Sequence, residues 1–366
     1  MQIKSSFQPA APPQLVFPHP TPPGPGTAIE IVPGILWMRL ALPFLLDHVN
    51  IYVIEDGDGW AVIDTGLGDE ATKLAWPLML DGALGGRPLT RIIATHYHPD
   101  HVGATGFLLK RFDIPLYMAA TEYLQSLNIH LDPGALEAAH YRRFYTEHGL
   151  DPATTQAVVT MGHAYLKMTS GLPPTYHRIA GGDVLRIGNR QFEVLTGAGH
   201  SPEEVMLFNR AEKLFFAADQ VLAKISPNIS VIAVDPEGDP LGYYLRSLNA
   251  LRRDIPDDVL VLPGHNLPFY GLHTRAAELI RHHQVRCDLV LQAARAAPKS
   301  AAELIPSVFT RKLDPHQTGF AFSEILAHVN YMLRQGTLEP VATGDRIQRV
   351  GAASTDRGGL APDQGK

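Results

Sequence analysis

Apolar and polar residues follow two rhythms along this chain. Short β-branched runs bounded by glycine, proline or asparagine predict strands, and apolar residues three to four apart predict helices. VNIYVIED and WAVIDTG, separated by Gly57, Asp58 and Gly59, predict a hairpin. TRIIATH predicts a further strand, followed by helical spacing in VGATGFLLKRF and another strand in IPLYMAA. DVLRIGNRQFEVLTGAG predicts a second hairpin turning at Gly188-Asn189. EVMLFN and KLFFAADQV form one more pair, and DDVLVLPGH ends the strand-rich part. Strands with interspersed helices predict a layered α/β core.

Four segments depart from that pattern. Residues 1–27 carry so many prolines, which fix φ and lack an amide donor, that a disordered Pro-rich arm is expected. Residues 121–176 read as a helical insert with turn signals at Pro133-Gly134 and Pro173-Pro174. Beyond the core domain, 28–271, the rhythm is helical again. TRAAELIRHHQVRCDLVLQAARA is a long amphipathic helix, and Ser300, three residues before Glu303, begins a second with a capping-box pattern. FSEILAHVNYMLRQGTL is a third, and EPVATGDRIQRV predicts a small hairpin around Gly344-Asp345. Residues 272–350 are therefore expected to form a small winged-helix-like C-terminal domain. Residues 351–366, poor in apolar groups and rich in glycine, are expected to be a disordered tail.

The polar residues of HYHPDH, following the strand TRIIATH, form a tight cluster. His96 and His98 stand at i and i+2, so they point the same way if strand geometry persists. Pro99 keeps His98 extended and bends the chain, which places Asp100 and His101 at the start of the next helix. Imidazole and carboxylate ligands must converge on a metal from a rigid backbone, and this loop can offer four of them to two metals. Two metals need more ligands, and isolated polar residues do end other strands: His200 in FEVLTGAGH, Asp219 in KLFFAAD, His265 in VLVLPGH and Asp64 in WAVIDTG. Ligand sites of layered α/β folds gather at one such rim.

Composition narrows the function classes. A net charge of −6 and a pI near 6.3 argue against a general polyanion binder. One cysteine, Cys287, excludes a disulfide framework and a multi-thiolate metal site. The first 30 residues lack the apolar core of a signal peptide, and no stretch reaches the roughly 18 apolar residues of a membrane span. A cytoplasmic protein without membrane contact is expected.

The aspartate of VIDTG, the HYHPDH motif, His200, Asp219 and His265, in that order over roughly residues 30–270, resemble the metallo-β-lactamase superfamily. The resemblance implies an α+β chain built as an αββα sandwich, with residues 121–176 where relatives vary a substrate lid. It implies His96, His98 and His200 on one metal, Asp100, His101 and His265 on a second, and the Asp219 carboxylate bridging them. The expected cofactor is two zinc ions per chain, with iron or manganese accepted by the same ligand set. A metal-bridging hydroxide would be the nucleophile, with Asp100 and Asp219 as the catalytic carboxylates. Asp64 is expected behind the ligands, orienting one of them or the loop by hydrogen bonds; a strand-to-turn cap is the plainer role for it.

Within that superfamily several branches fit less well. Zinc β-lactamases with a cysteine ligand carry it where this chain has Asp219, and flavo-diiron reductases carry glutamate at the position of His98. Glyoxalase II-like thioesterases, lactonases and lactamase-like endoribonucleases remain. A thioester or related small-molecule acyl substrate is the expectation; alternatives are a phosphodiesterase acting on RNA, a lactonase, a mono-iron sulfur dioxygenase and a non-catalytic nucleic-acid binder. The C-terminal region resembles the winged-helix appendage of the endoribonuclease branch. Its basic residues, such as Arg281 and Arg286, are interleaved with Glu278 and Asp288, which favours packing or a homodimer contact over nucleic acid. Candidate substrate contacts are Arg142, Arg143 and Tyr145 of the insert, and Lys224, Ser226 and Asn228 of AKISPNIS.

Overall fold

A computed structural model describes residues 14–134 and 138–354, and two stacked β-sheets organise them. The first sheet begins as an antiparallel meander of β1 (Ile29–Val32), β2 (Ile35–Ala41), β3 (His48–Asp56) and β4 (Gly59–Ile63). After helix α1 (Glu70–Asp81) it continues in parallel as β5 (Leu89–Ile93), β6 (Leu116–Met118) and β7 (His177–Arg178). Short helices α2 (Pro99–Val102) and α3 (Thr105–Arg111) join β5 to β6. The insert, α4 (Ala120–Leu131), α5 (Ala139–Glu147) and α6 (Pro152–Lys167), joins β6 to β7.

The second sheet is β8 (Val184–Ile187), β9 (Arg190–Gly197), β10 (Glu204–Asn209) and β11 (Leu214–Ala218), antiparallel throughout. Helix α7 (Pro240–Asp254) then leads to β12 (Leu260–Pro263), which lies parallel to β11. Helices α8 (Leu272–Ala296), α9 (Ala301–Val308) and α10 (Pro315–Arg334) follow, then an antiparallel pair, β13 (Leu338–Val341) and β14 (Arg349–Ala352). The Ser300–Glu303 capping box starts α9 as its sequence predicts.

Burial explains the layering. Every residue of β10 and β11 is buried, as expected for strands covered on both faces. Ile35, Trp37, Tyr52, Phe192, Val205 and Phe216 fill the space between the sheets. Met38, Ile51, Trp76 and Leu108 pack the first sheet's outer face under α1 and α3, while Phe208, Phe215 and Val261 pack the second sheet against Tyr244, Leu304 and Phe322. This is the αββα sandwich. The same third cluster takes in Phe144 and Leu150 of the insert, so the insert, the second sheet and the C-terminal helices share one apolar core. No helix among the described residues is long and apolar enough to cross a membrane.

The ends require two corrections. Residues 14–27, expected within a disordered arm, lie against the core: Val16 and Tyr270 exchange two backbone hydrogen bonds, and the Phe17 ring sits 6.4 Å from that of Phe269. Prolines prevent this segment from forming its own ladder, yet one extended residue suffices for a bridge and an aromatic anchors it. Residues 1–13 of that arm lie outside the described residues. At the other end, Gly351 and Ala352 pair with Glu339 and Leu338 inside β14, two residues past the expected boundary; 355–366 lie outside the described residues.

Phe322 is fully buried where insert and C-terminal helices meet. Phe322→Ala should cost about 3–5 kcal/mol. Urea unfolding should show one cooperative transition moved to lower denaturant; two separate transitions would mean that the C-terminal helices fold alone.

Candidate metal centre

Polar side chains collect where strands of both sheets end on one rim. Asp64 follows β4, His96 lies just beyond β5, and His98, Asp100 and His101 sit at or within α2. His200 lies between β9 and β10, Asp219 directly follows β11, and His265 closely follows β12. The backbone there is strained: Asp64, Ala218 and Asn266 hold positive φ of 63°, 46° and 68°. Each such residue costs on the order of 1–3 kcal/mol, which the surrounding contacts must offset. Gly264 permits the closest approach, since a Cβ there would stand 2.3 Å from Asp219 Oδ1 and 2.9 Å from His101 Cε1.

The seven residues converge. His98 Nδ1 and His200 Nε2 are 3.0 Å apart, and with His96 they offer three ligand atoms all within 4.8 Å of one another. Asp100, His101 and His265 form a second such group: Asp100 Oδ2 lies 3.4 Å from His265 Nε2 and 3.7 Å from His101 Nε2. Asp219 stands between them, with Oδ2 3.2 Å from His265 Nε2 and 3.5 Å from His200 Nε2, and Oδ1 3.6 Å from His101 Nε2.

Hydrogen bonds behind the ring nitrogens fix which of them face inward. His101 Nδ1 donates to Asp64 Oδ2 at 2.8 Å, His265 Nδ1 to the His48 carbonyl at 2.7 Å and His200 Nδ1 to the Asn228 carbonyl at 2.9 Å. Thr95 donates its hydroxyl to Asp64 and accepts from His96 Nδ1 at 3.0 Å. The Nε2 lone pairs of these four rings are thereby aimed at the centre, a tautomer choice made by the outer partners. His96 Nε2, His101 Nε2 and Asp219 Oδ1 are buried without any hydrogen-bond partner. Unpartnered buried polar atoms are costly, and borderline divalent cations suit this imidazole and carboxylate set. The residues fit a metal pair.

Charge divides the rings. Burial and the neighbouring His101 hold His96 well below the ordinary imidazole range, and burial with His200 lowers His98 to about 3. At His265 and His101 burial acts the same way but is outweighed by Asp219 and Asp100, raising His265 to about 10 and His101 well above its usual value. Burial would raise Asp100 and Asp219, yet the adjacent histidines hold both below the usual carboxylate range.

Three supporting residues had no motif to announce them. Glu204 Oε1 accepts from Asp219 N at 2.7 Å and lies 3.5 Å from His96 Nδ1; burial, then Asp219, keep its carboxyl well above the usual range. A glutamate heading the apolar run EVMLFN was its one visible signal. Glu122 and His48 carry none: Glu122 is buried under the HYHPDH loop, and His48 serves through its backbone carbonyl.

The candidate substrate residues are placed unevenly. Lys224 N donates to Asn266 Oδ1, next to His265, and Asn228 meets His200 through its carbonyl, with Ser226 on the same loop. Arg142 pairs with Gln156, Arg143 is exposed on α5, and Tyr145 packs on Phe322; their contacts stay within the helical layer. A further ligand-like group, His283, Glu324 and His328, is buried between α8 and α10. There Arg286 already pairs with Glu324, and burial keeps His283 and His328 neutral, so the cluster is charge-balanced without a cation.

Comparison with known proteins gives the same picture. A family model described as the metallo-beta-lactamase superfamily matches residues 45–265, and one for the metallo-beta-lactamase-like C-terminal domain matches 287–353. The crystal structure of a beta-lactamase domain protein from Burkholderia ambifaria aligns with a TM-score of 0.86 at 36% identity, over 93% of this chain and 98% of that one. Acyl-coenzyme A thioesterase MBLAC2 of Homo sapiens is 25% identical over 293 residues, 77% of this chain and 95% of the relative. Hydroxyacylglutathione hydrolase of Haemophilus ducreyi is 22% identical over 249 residues, 67% of this chain and 77% of the relative.

Two outcomes follow from this geometry. In the metal-free chain Asp219 and Asp100 favour the charged rings of His265, raised to about 10, and of His101, raised in the same direction, whereas ligation needs both neutral. Metal loading at pH 7 should therefore release protons, and affinity should fall as pH falls. Calorimetry in buffers of different ionisation enthalpy measures this; no proton release would contradict it. Asp64→Ala frees His101 directly and His96 through Thr95, so competition titration should show both metal equivalents weakened by about 10–100-fold.

Proposed function

The chain belongs to the metallo-beta-lactamase superfamily and is a metal-dependent hydrolase, and on that premise we propose that it cleaves thioesters or related acyl compounds at a pair of zinc ions. The observation that carries this reading is the convergence of two three-ligand groups on one shared carboxylate, Asp219. His96, His98 and His200 would hold one ion, and Asp100, His101 and His265 the other. A bound pair of divalent cations supplies Lewis acidity and brings the pKa of water toward neutrality.

The chain's own groups do the rest. Asp100, at 19% side-chain exposure, is the most open of the carboxylates and is held ionised by His101 and His265, so it can accept a hydrogen bond from an attacking water and fix its direction. Asp219, almost fully enclosed, keeps the two ligand groups in register. The loop at Lys224, Ser226 and Asn228 borders His265 and His200 and is positioned to meet the substrate's non-reacting part. The thioesterase and hydroxyacylglutathione hydrolase relatives support an acyl substrate over a phosphodiester. Zinc suits the neutral imidazoles and carboxylates, and iron or manganese accept the same donors.

The test is a turnover panel of acyl-coenzyme A, acyl-glutathione, lactone and single-stranded RNA substrates with the zinc-loaded protein. Hydrolysis of thioesters, lost on Asp219→Ala together with metal content, is expected. Cleavage of RNA with inert thioesters would overturn the acyl reading.

A further inference from the structure

We propose that Glu122 is a positioning residue that braces one of the two metal subsites, the His96–His98–His200 group, and leaves the other to separate supports. The proposal rests on the two-metal reading above.

Glu122 lies in the first turn of α4 and is fully buried. Its carboxyl group receives three hydrogen bonds, one from the residue between His96 and His98 and two from residues one and three positions after His200. Tyr97, between His96 and His98, donates its backbone N–H to Oε2 at 2.9 Å. Ser201, directly after His200, donates its hydroxyl to the same oxygen at 2.5 Å, and the Glu203 backbone N–H donates to Oε1 at 2.6 Å. One side chain therefore ties the loop carrying two ligands to the loop carrying the third, across a gap of more than 100 residues in sequence. The insert grips Tyr97 a second time, because Tyr165 of α6 donates its hydroxyl to the Tyr97 carbonyl at 2.8 Å. Both backbone polar groups of the residue between His96 and His98 are thus held by helices of the insert.

The other group is held differently. His101 is fixed by Asp64 and His265 by the His48 carbonyl; Glu122 meets the HYHPDH loop at Tyr97, between the two histidines of the first group, and its bonds do not extend to the His101 ring or to the loop of His265. Burial raises the Glu122 carboxyl to about 7 against the pull of its three donors, and bonds to its ionised form are strong and leave little freedom to the groups that donate them. Loss of Glu122 should accordingly loosen one trio of ligands selectively. Glutamine at this position keeps the volume but turns one acceptor into a donor, and three donors cannot all be satisfied by it.

The experiment titrates the metal-free protein with cobalt(II), reading stoichiometry against a chelator and the visible spectrum, for wild type, Glu122→Gln, His98→Ala and His265→Ala. Circular dichroism checks that each variant is folded, and the glutamine variant is chosen because it preserves packing. In Glu122→Gln one equivalent should bind about 10–100-fold more weakly while the other keeps its wild-type affinity. The equivalent that remains should show the spectrum of His98→Ala, whose first subsite is damaged by design. Two equivalents at wild-type affinity, parallel weakening of both, or a residual spectrum matching His265→Ala would each overturn the proposal. A wild-type protein that takes up a single cobalt would instead sink the two-metal reading; the brace then stands if Glu122→Gln weakens that one ion and falls if it does not.

Discussion

The direction of a few imidazole lone pairs governs this molecule, and one carboxylate, Asp64, sets two of them. It holds His101 directly and His96 through the Thr95 hydroxyl, one ring from each ligand group. An imidazole free to rotate or to change tautomer presents a proton to the centre as readily as a lone pair. The buried hydrogen bonds behind the rings fix each ring's orientation before any ion arrives, so that loss of the inward proton from His101 or His265 leaves an Nε2 lone pair facing the centre. Asp64 itself adopts left-handed backbone to reach both partners, as do Ala218 and Asn266 around Asp219 and His265. Strain at three strand ends is the cost of bringing five side-chain-bearing loops to one point, and the two-layered apolar core beneath offsets it.

Much of this was legible in the chain. Strand-length apolar runs, hairpin turns at Gly57 and Gly188, and the capping box at Ser300 are local features whose causes lie within a few residues, so the pattern predicts them where they occur. The convergence of the candidate ligands was legible because a metal would demand polar residues where apolar strands end, and His200, Asp219 and His265 stand out against that background. The supports were not. Glu122 looks like any acidic residue in the first turn of a helix; its role exists only because the fold brings Tyr97, Ser201 and Glu203 to it. The order of residues 14–27 was hidden for the same reason: the partner of Val16 is Tyr270, at the far end of the core.

The insert illustrates how a shared core changes the meaning of a segment. Read as text, residues 121–176 resemble a lid, a helical addition free to vary over a site. In the fold, Phe144 and Leu150 are buried with Phe322 and Leu304, and Tyr145 is packed rather than turned toward the centre. With Tyr123 of α4 buried on the first sheet's outer face, and Phe144 and Leu150 committed to the second sheet and the C-terminal helices, the insert cannot swing as one rigid body without opening both cores. Its contribution is therefore stiffness.

That stiffness bears on how the chemistry is divided. The loops nearest the open side of the centre, with Asp100 at 19% side-chain exposure and Lys224 exposed beside Asn266, belong to neither the insert nor the C-terminal helices. On the proposed reading substrate would approach from that side, past α2 and the loop following Asp219. The helical layer holds the ligand loops still, and on the proposed acyl reading the stretch from Lys224 to Asn228 would meet the substrate. The division is not complete, because the Asn228 carbonyl at the end of that stretch also holds His200 Nδ1 at 2.9 Å and so joins the fixing of a ring to the loop that borders the open side.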